Sequence, residues 1–331
     1  MGVDKAHRVS LGEGVTVGVI DTGVDPHPDL RRNLLFGTDA SSGSGDGRTD
    51  IDSHGTSVAG LIAAHGTGPG AGALGMAPKA KILPIRYGIT EHQVTSEALS
   101  VGIQWAVKNG ASVISISSVG DPSDRLRSAI SEAAADDVVI VAAAGNQPSA
   151  HSVGFPAAYD GVLAVGATDR DGNHAAVSVS GEQVAISAPG VDIYSTSING
   201  KYSKATGTSA SAAIVAGAVA LVRSRYPELS APEVVHRLTA TATDKGAPGR
   251  DEQYGYGVLN LVAALTADVP PLESDGVSPS TGAAVGPSGG VGDGGGGSTV
   301  AVWATALAVL AVAVGAAVAL LGLRRRRRDG T

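Results

Sequence analysis

The stretch that decides the fold is a run of small residues, Gly207-Thr208-Ser209-Ala210-Ser211-Ala212-Ala213-Ile214-Val215-Ala216-Gly217. A Gly-Thr turn followed by small apolar residues predicts a helix, continuing to Val222, that can pack deep inside a domain. Ser209 would then lie at the helix start, where its hydroxyl is in the positive field of the N-terminus. Serine is also a preferred helix cap. This stretch alone therefore leaves a capping role and a chemical role equally open.

Two other stretches favour the chemical role. The run Val15-Thr16-Val17-Gly18-Val19-Ile20-Asp21 is rich in β-branched residues, so it predicts a buried strand with Asp21 at its carboxyl end. The run Ser53-His54-Gly55-Thr56-Ser57-Val58-Ala59-Gly60 predicts a second small-residue helix that begins at His54. Open α/β sheets place their sites where strands end and the following helices begin. Asp21, His54 and Ser209 can therefore converge at one edge of a sheet.

These three residue types suit acyl transfer, because serine needs a base and histidine needs a carboxylate to orient it. The segments Val-Ile-Asp-Thr-Gly, His-Gly-Thr and Gly-Thr-Ser, in the chain order Asp, His, Ser, resemble the signatures of subtilases, the subtilisin-like serine proteases. The resemblance covers roughly residues 3 to 265. It implies a subtilisin-like α/β fold, with a mostly parallel central sheet flanked by helices, in a catalytic domain over residues 1–267. It also implies a serine endopeptidase that acts through an acyl-enzyme, with Asp21, His54 and Ser209 as the catalytic residues.

The same resemblance extends to the oxyanion and substrate sites. Ala-Ala-Ala-Gly-Asn, which ends at Asn146, resembles the oxyanion segment of the family and implies that Asn146 donates to the tetrahedral oxyanion. Taken alone, Asn146 is equally typical of a turn after a strand. In subtilases the strand that corresponds to residues 112–117 pairs with the substrate backbone, as an added β-strand does. The residues expected to line the substrate cleft are Ser117, Ser118, Val119, Ala144 and Gly145.

Two positions depart from the usual pattern of the family. Val119 stands where the family usually has glycine, so a branched side chain is expected to narrow the S1 or S4 region of the cleft. Ala213 stands where the family usually has proline, so the start of the serine helix is expected to be more flexible.

Composition excludes several kinds of site. The chain has no cysteine, which excludes disulfides, zinc–thiolate sites and a thiol nucleophile. The turn Asp25-Pro26-His27-Pro28-Asp29 contains metal-ligand residue types, but its two prolines favour a rigid turn. The acidic loop 46–52 is compatible with a structural calcium ion, although its spacing matches no metal-ligand pattern. No metal site is assigned and no cofactor is expected to be required. With a net charge of −7 the chain is a poor binder of nucleic acid.

The C-terminal part of the sequence predicts a membrane anchor. Residues 268–298 are rich in Pro, Gly and Ser and predict a flexible linker. The apolar run 299–323 would form a helix about 37 Å long, enough to cross a hydrocarbon core of about 30 Å. The basic tail 324–331 predicts a cytoplasmic C-terminus and an extracytoplasmic catalytic domain in a single-pass protein of the cell membrane. Residues 1–14 lack the apolar segment of a secretory signal. Because the expected orientation requires export of the catalytic domain, we expect the natural start of the protein to lie upstream of Met1.

A catalytic domain, a linker, one membrane helix and a short basic tail resemble the mycosins, the membrane-anchored subtilases of type VII secretion systems. This implies a peptide or secreted-protein substrate, and a secretion complex as a partner. The alternative is a scaffold of such a complex that keeps the subtilase fold without catalysis, for which Val119 and Ala213 leave room. An esterase of the α/β-hydrolase type is disfavoured, because the serine segment lacks the second glycine of a nucleophile elbow.

Overall fold

The strand that carries Asp21, β1 (Thr16–Asp21), lies inside a seven-stranded parallel sheet in the computed structural model of the chain. The other strands are β2 (Thr38–Asp39), β3 (Lys81–Arg86), β4 (Val113–Ile116), β5 (Val139–Ala143), β6 (Val162–Thr168) and β7 (Val184–Pro189). Their order across the sheet is β2-β3-β1-β4-β5-β6-β7, and every neighbouring pair is parallel. The structure describes residues 1–68, 70–90 and 93–272, which fall within one compact unit, Met1–Ser274.

Helices cover both faces of the sheet. They are α1 (Val3–His7), α2 (His54–Ala63), α3 (Ser96–Lys108), α4 (Asp124–Ala135), α5 (Thr208–Arg225), α6 (Ala231–Ala240) and α7 (Leu261–Thr266). Val17 and Val19 of β1 pack in one core with α2 and α5, while Ile20 packs in a second core with α3 and α4. Successive strand residues point to opposite faces, so β1 is buried on both sides, as is typical of a parallel sheet. The prediction of a parallel sheet flanked by helices is confirmed.

The small residues of α5 allow it to cross the core at close range. Its residues from Ala210 to Val222 are all buried. A Cβ atom added to Gly217 would lie 2.5 Å from Cβ of Met76, a separation that real Cβ atoms do not show. The helix extends to Arg225, three residues beyond the predicted end.

A β-hairpin outside the main sheet was not predicted. Its strands, β8 (Ile193–Ser197) and β9 (Lys201–Ala205), are antiparallel. The hairpin lies on α2, where the hydroxyls of Ser195 and Thr196 each donate to a carbonyl oxygen of that helix at 2.7 Å. The turn contains Asn199 and Gly200, both with positive φ. An Asn-Gly pair between two short runs is the sequence signal that could have revealed this hairpin.

The predicted linker, membrane helix and basic tail lie almost wholly in residues 273–331, which are outside the described residues. Within the described part of the chain, no helix combines the length and the apolar character that crossing a bilayer requires.

Candidate active site

Asp21 and His54 form a hydrogen-bonded pair at the carboxyl edge of the sheet. Asp21 is the last residue of β1 and His54 the first residue of α2, and the atoms Asp21 Oδ1 and His54 Nδ1 are 2.7 Å apart. The Asp21 side chain is fully buried, whereas that of His54 is 17% exposed. The carboxylate can only accept, so Nδ1 of the imidazole donates and Nε2 is the basic nitrogen. This is the tautomer that a general base needs.

Ser209, the second residue of α5, lies at the same edge. Its Oγ donates to the carbonyl oxygen of Ser117 at 2.9 Å, and the Ser117 hydroxyl donates back to the Ser209 carbonyl at 3.3 Å. Ser117 directly follows β4, which is the neighbour of β1, and Ile20 pairs in register with Ile116. Asp21 and Ser117 each come one residue after this pair, on adjacent strands that run about 4.8 Å apart. Sheet register thus places the serine hydroxyl at the same carboxyl edge of the sheet as the Asp21–His54 pair.

Asn146 is oriented by Thr208, the residue before Ser209. The Thr208 backbone N–H and hydroxyl both donate to Asn146 Oδ1, at 2.9 and 3.0 Å. The Thr208 hydroxyl accepts in turn from the backbone N–H of Gly145 at 3.2 Å. With Oδ1 used twice as an acceptor, the amide nitrogen Nδ2 is the group that can donate to a ligand. The arrangement suits a donor for a developing oxyanion.

A cleft of about 470 Å³ runs beside these groups. The residues that line it are Val94, Ser117, Ser118, Val119, Gly120, Asp121, Ala143, Gly145, Asn146, Ser149, Ala150, Thr208 and Ser209. Ser117, Ser118, Val119 and Gly145 thus lie in the wall of a groove that Ser209 also lines.

Ala144 does not line the cleft. Its side chain is fully buried in the core on the α3–α4 side of the sheet. Its backbone N–H donates to Val165 and its carbonyl accepts from Gly154. Both polar groups of Ala144 are therefore used inside the protein, and direct contact with a substrate is not supported. The alternation of side chains along a strand explains the difference, since Ala143 faces the cleft instead.

Val119 is 40% exposed and packs against the segment that contains Gly154. A Cβ atom added to Gly154 would lie 2.3 Å from Cγ1 of Val119. The next residue, Gly120, donates its N–H to the carbonyl of Phe155 at 2.8 Å. The isopropyl group therefore takes up space at the point where these two segments meet.

The turn after β1 is held by buried polar groups. His27 Nδ1 accepts from the N–H of Asp29, and His27 Nε2 donates to the carbonyl of Lys201 on β9. Asp29 Oδ2 accepts from the Tyr202 hydroxyl at 2.9 Å and from the N–H of Ala73. Burial, followed by the bond to Asp29 and its charge, raises the pKa of Tyr202. These contacts describe a hydrogen-bonded turn, as the two prolines predicted.

In the acidic loop 46–52, Asp46 and Asp50 use their carboxylates within the chain. Asp46 accepts from the N–H of Arg48. Asp50 accepts from the hydroxyl of Thr22, after β1, and from the N–H of Thr56, in α2. No cluster of three or more potential metal ligands occurs in the part of the chain that the structure describes. Asp50 was not singled out from the sequence, although an acid four residues before the histidine was a visible signal.

Comparison with known proteins agrees with this geometry. The sequence model of the subtilase family matches residues 12–257. The chain belongs to the subtilase family. Subtilisin DY from Bacillus licheniformis is 42% identical over 270 residues, which covers 78% of this chain and 95% of the relative. This subtilase is therefore a serine-type protease.

The fold of this chain also resembles solved structures of subtilases. The crystal structure of MycP1 from Mycobacterium smegmatis has a TM-score of 0.72 and 32% identity, and the match covers 81% of this chain and 83% of that one. MycP3, described as a protease from the type VII (ESX-3) secretion system, has a TM-score of 0.70 and 36% identity, over 80% of this chain and 86% of that one. Among subtilases this chain thus resembles the mycosins, as predicted.

Proposed function

We propose that this subtilase hydrolyses peptide bonds through an acyl-enzyme, with Asp21, His54 and Ser209 as the catalytic triad. The observation that carries the proposal is the 2.7 Å hydrogen bond between buried Asp21 and His54, at the edge where the helix that contains Ser209 begins. The bond sets the imidazole tautomer and stabilises the imidazolium that forms during the reaction.

The first half of the reaction forms the ester. Nε2 of His54 takes the proton of the Ser209 hydroxyl as Oγ attacks the scissile carbonyl carbon. The carbonyl π electrons move to oxygen, and Nδ2 of Asn146 donates to that oxyanion. When the tetrahedral intermediate collapses, the C–N bond breaks and the leaving amine takes the proton from the imidazolium. The acyl group is left on Ser209.

The second half repeats these steps with water. His54 deprotonates a water molecule that attacks the ester carbon, and the same amide of Asn146 stabilises the second oxyanion. Collapse breaks the bond to Oγ, and the serine takes back the proton from the imidazolium. A carboxylic acid and the free enzyme are the products.

Substrate would lie along the cleft as an extended segment. The backbone after β4, at Ser117 to Val119, lines the cleft, and a peptide can pair against it as an added strand. The likeness to MycP1 and MycP3 supports a protein exported by a type VII secretion system as the substrate, and that system as the partner. We also propose that residues 299–323 anchor the protein in the membrane, with the catalytic domain outside the cytoplasm.

A fluorophosphonate probe tests the mechanism. It should label the full-length protein, and Ser209→Ala should abolish labelling. Ser211→Ala is the matched control, because Ser211 lies two residues further along the same helix, where its buried hydroxyl donates to the carbonyl of Ala188. Unlabelled wild-type protein with an intact circular-dichroism spectrum would favour the scaffold alternative. Labelling that survives Ser209→Ala would assign the nucleophile elsewhere.

A further inference from the structure

Asp50 is a buried carboxylate that the triad mechanism does not use. It lies in the loop before α2 and is 5% exposed. Its Oδ1 accepts from the Thr22 hydroxyl at 3.0 Å and from the N–H groups of Asp52 and Ser53 at 3.0 and 2.9 Å. Its Oδ2 accepts from the N–H and the hydroxyl of Thr56 at 2.9 and 2.6 Å. Five donors on two oxygens is a pattern that a carboxylate satisfies and that the single oxygen of an amide does not.

The helix that begins at His54 depends on Asp50 for its cap. The first N–H groups of a helix have no partner within it. The cap residue, Ser53, has a left-handed backbone with φ of 86°, and its side chain makes no capping bond. Its hydroxyl pairs instead with that of Ser197 on the hairpin at 2.6 Å. Asp50 acts as the cap in place of Ser53, because its carboxylate accepts the N–H of Thr56. The helix dipole favours a negative charge at this end of the helix.

Thr22 connects this cap to the catalytic carboxylate. Its hydroxyl accepts from the N–H of Gly55 at 3.0 Å while donating to Asp50. Its backbone N–H donates at 2.8 Å to Asp21 Oδ1, the same oxygen that pairs with His54. A continuous chain of hydrogen bonds therefore runs from Asp50 through Thr22 to the Asp21–His54 pair.

The two elements joined in this way meet at close range. A Cβ atom added to Gly55 would lie 2.1 Å from the carbonyl oxygen of Gly23 and 3.1 Å from Cβ of Asp21. The end of β1 and the start of α2 can approach this far only because Gly55 has no side chain. The distance between Asp21 and His54 is then set by how the start of α2 is held, which is the role of the bonds to Asp50.

We propose that Asp50 is a positioning residue of this protease, which fixes the start of α2 against the end of β1 and so holds His54 in register with Asp21. The inference rests on the proposed triad. Asp50 does not line the cleft, so it acts through Thr22 and Thr56 and not by contact with substrate. Its loss should slow the chemical steps and leave substrate binding nearly unchanged.

The test is Asp50→Asn in the full-length protein, assayed on a peptide substrate that the wild type cleaves. The amide of asparagine keeps the shape of the side chain, but its NH₂ group cannot accept the hydrogen bonds that one oxygen of Asp50 accepts. We expect kcat to fall about 10- to 100-fold, as a displacement of roughly 1 Å in a catalytic group does. KM should stay within about twofold, and the rate of fluorophosphonate labelling should fall in parallel with kcat, because labelling needs the same activated serine.

Asp39→Asn is the matched control. Asp39 is also a buried carboxylate that accepts from neighbouring N–H and hydroxyl groups, and it lies at the end of β2 on the same sheet, away from the cleft. It should lower the melting temperature without changing kcat per active site, counted by titration with the probe. A fall in kcat per active site in Asp50→Asn that is no larger than in Asp39→Asn would overturn the proposal.

A second pair of variants covers the case in which Asp50→Asn does not fold. Thr22→Val removes the hydroxyl link at nearly constant shape and leaves the bonds from Asp50 to Thr56. Thr22→Ser keeps the link and should restore kcat. Equal kcat values in the two variants would refute the positioning role. A wild-type protein that the probe does not label would instead refute the triad itself, so the two failures are distinguishable.

Discussion

At the residue scale, Val119 is the side chain most directly placed to set substrate preference. It lines the cleft beside Asn146 and Ser209, and its methyl groups fill the space above Gly154. Val119→Gly should open that space, so that kcat/KM for a peptide with Phe at the widened subsite rises relative to one with Ala. One methylene group more or less in an apolar pocket is worth about 10- to 200-fold in selectivity.

Two peptide series show which subsite responds. One varies the P1 residue and the other the P4 residue, each from Ala through Leu to Phe. Val119→Ala is the intermediate control and should give an intermediate shift, because it removes only part of the isopropyl group. An unchanged Phe-to-Ala ratio in both series would show that Val119 does not limit the pocket.

The sequence predicts the position of a residue best when that residue lies where a strand ends or a helix begins. Asp21 ends a strand, and His54 and Ser209 lie at the starts of helices, so their placement at one edge of the sheet followed from the topology of a parallel sheet. Asp50 and Thr22 were not anticipated, because they act through hydrogen bonds across 28 positions of the chain that no local pattern records. Ala144 was misplaced for a local reason, since the strand turns its side chain into the core.

At the element scale, the ends of β2 and β3 are joined by the ion pair of Asp39 and Arg86. Burial raises the pKa of Asp39, but bonds from Ser41, Arg86 and Ser42 together outweigh it and hold the pKa at about 2, below its ordinary value of 3.8. A carboxyl with a lowered folded-state pKa stabilises the fold above its unfolded pKa. That stabilisation is lost as the pH falls through about 2.

Asp39→Asn should therefore lower the free energy of unfolding by about 2 kcal/mol at pH 6 and by progressively less below pH 4. Urea unfolding of full-length protein at pH 6, 4 and 2.5 measures the difference, in a Ser209→Ala background that prevents self-digestion. Asp136→Asn, at an exposed helix end, is the control and should change little at any pH. A loss for Asp39→Asn that is the same at pH 6 and pH 2.5 would contradict the role of its charge.

Elements with a strong local signal were predictable, and those defined by tertiary contact were not. The stretch Ser230-Ala231-Pro232-Glu233 has the sequence pattern of a capping box, and the box is present at the start of α6. The helices α3 and α4 begin one residue after Thr95 and Ser123, whose side chains cap them. The hairpin β8–β9 was not predicted, because its buried residues are Ser195 and Thr196, whose hydroxyls donate to carbonyl oxygens of α2. Hydrophobic periodicity does not reveal a strand that packs through polar groups.

At the scale of the whole molecule, one chain combines a protease with a long apolar run that we propose spans the membrane. The apolar run 299–323 has no charged residue and is followed at once by five arginines. A free protease would act throughout its compartment, whereas an anchored one acts on proteins that pass close to the membrane. The anchor would therefore restrict which substrates are met, independently of the chemistry of the cleft.

Fractionation of cells that express the full-length protein tests this arrangement. The chain should stay in the membrane pellet after an alkaline carbonate wash. Val309→Asp combined with Val312→Asp should release it, because an aspartate at the centre of a spanning helix costs roughly 2.5–3.5 kcal/mol. Val309→Ala with Val312→Ala is the matched control and should stay in the pellet. In spheroplasts, added protease should digest the catalytic domain and spare a tag placed after Thr331, since arginines favour the cytoplasmic side. A protected catalytic domain with an accessible tag would reverse the orientation, and with it the proposal that the substrates are exported proteins.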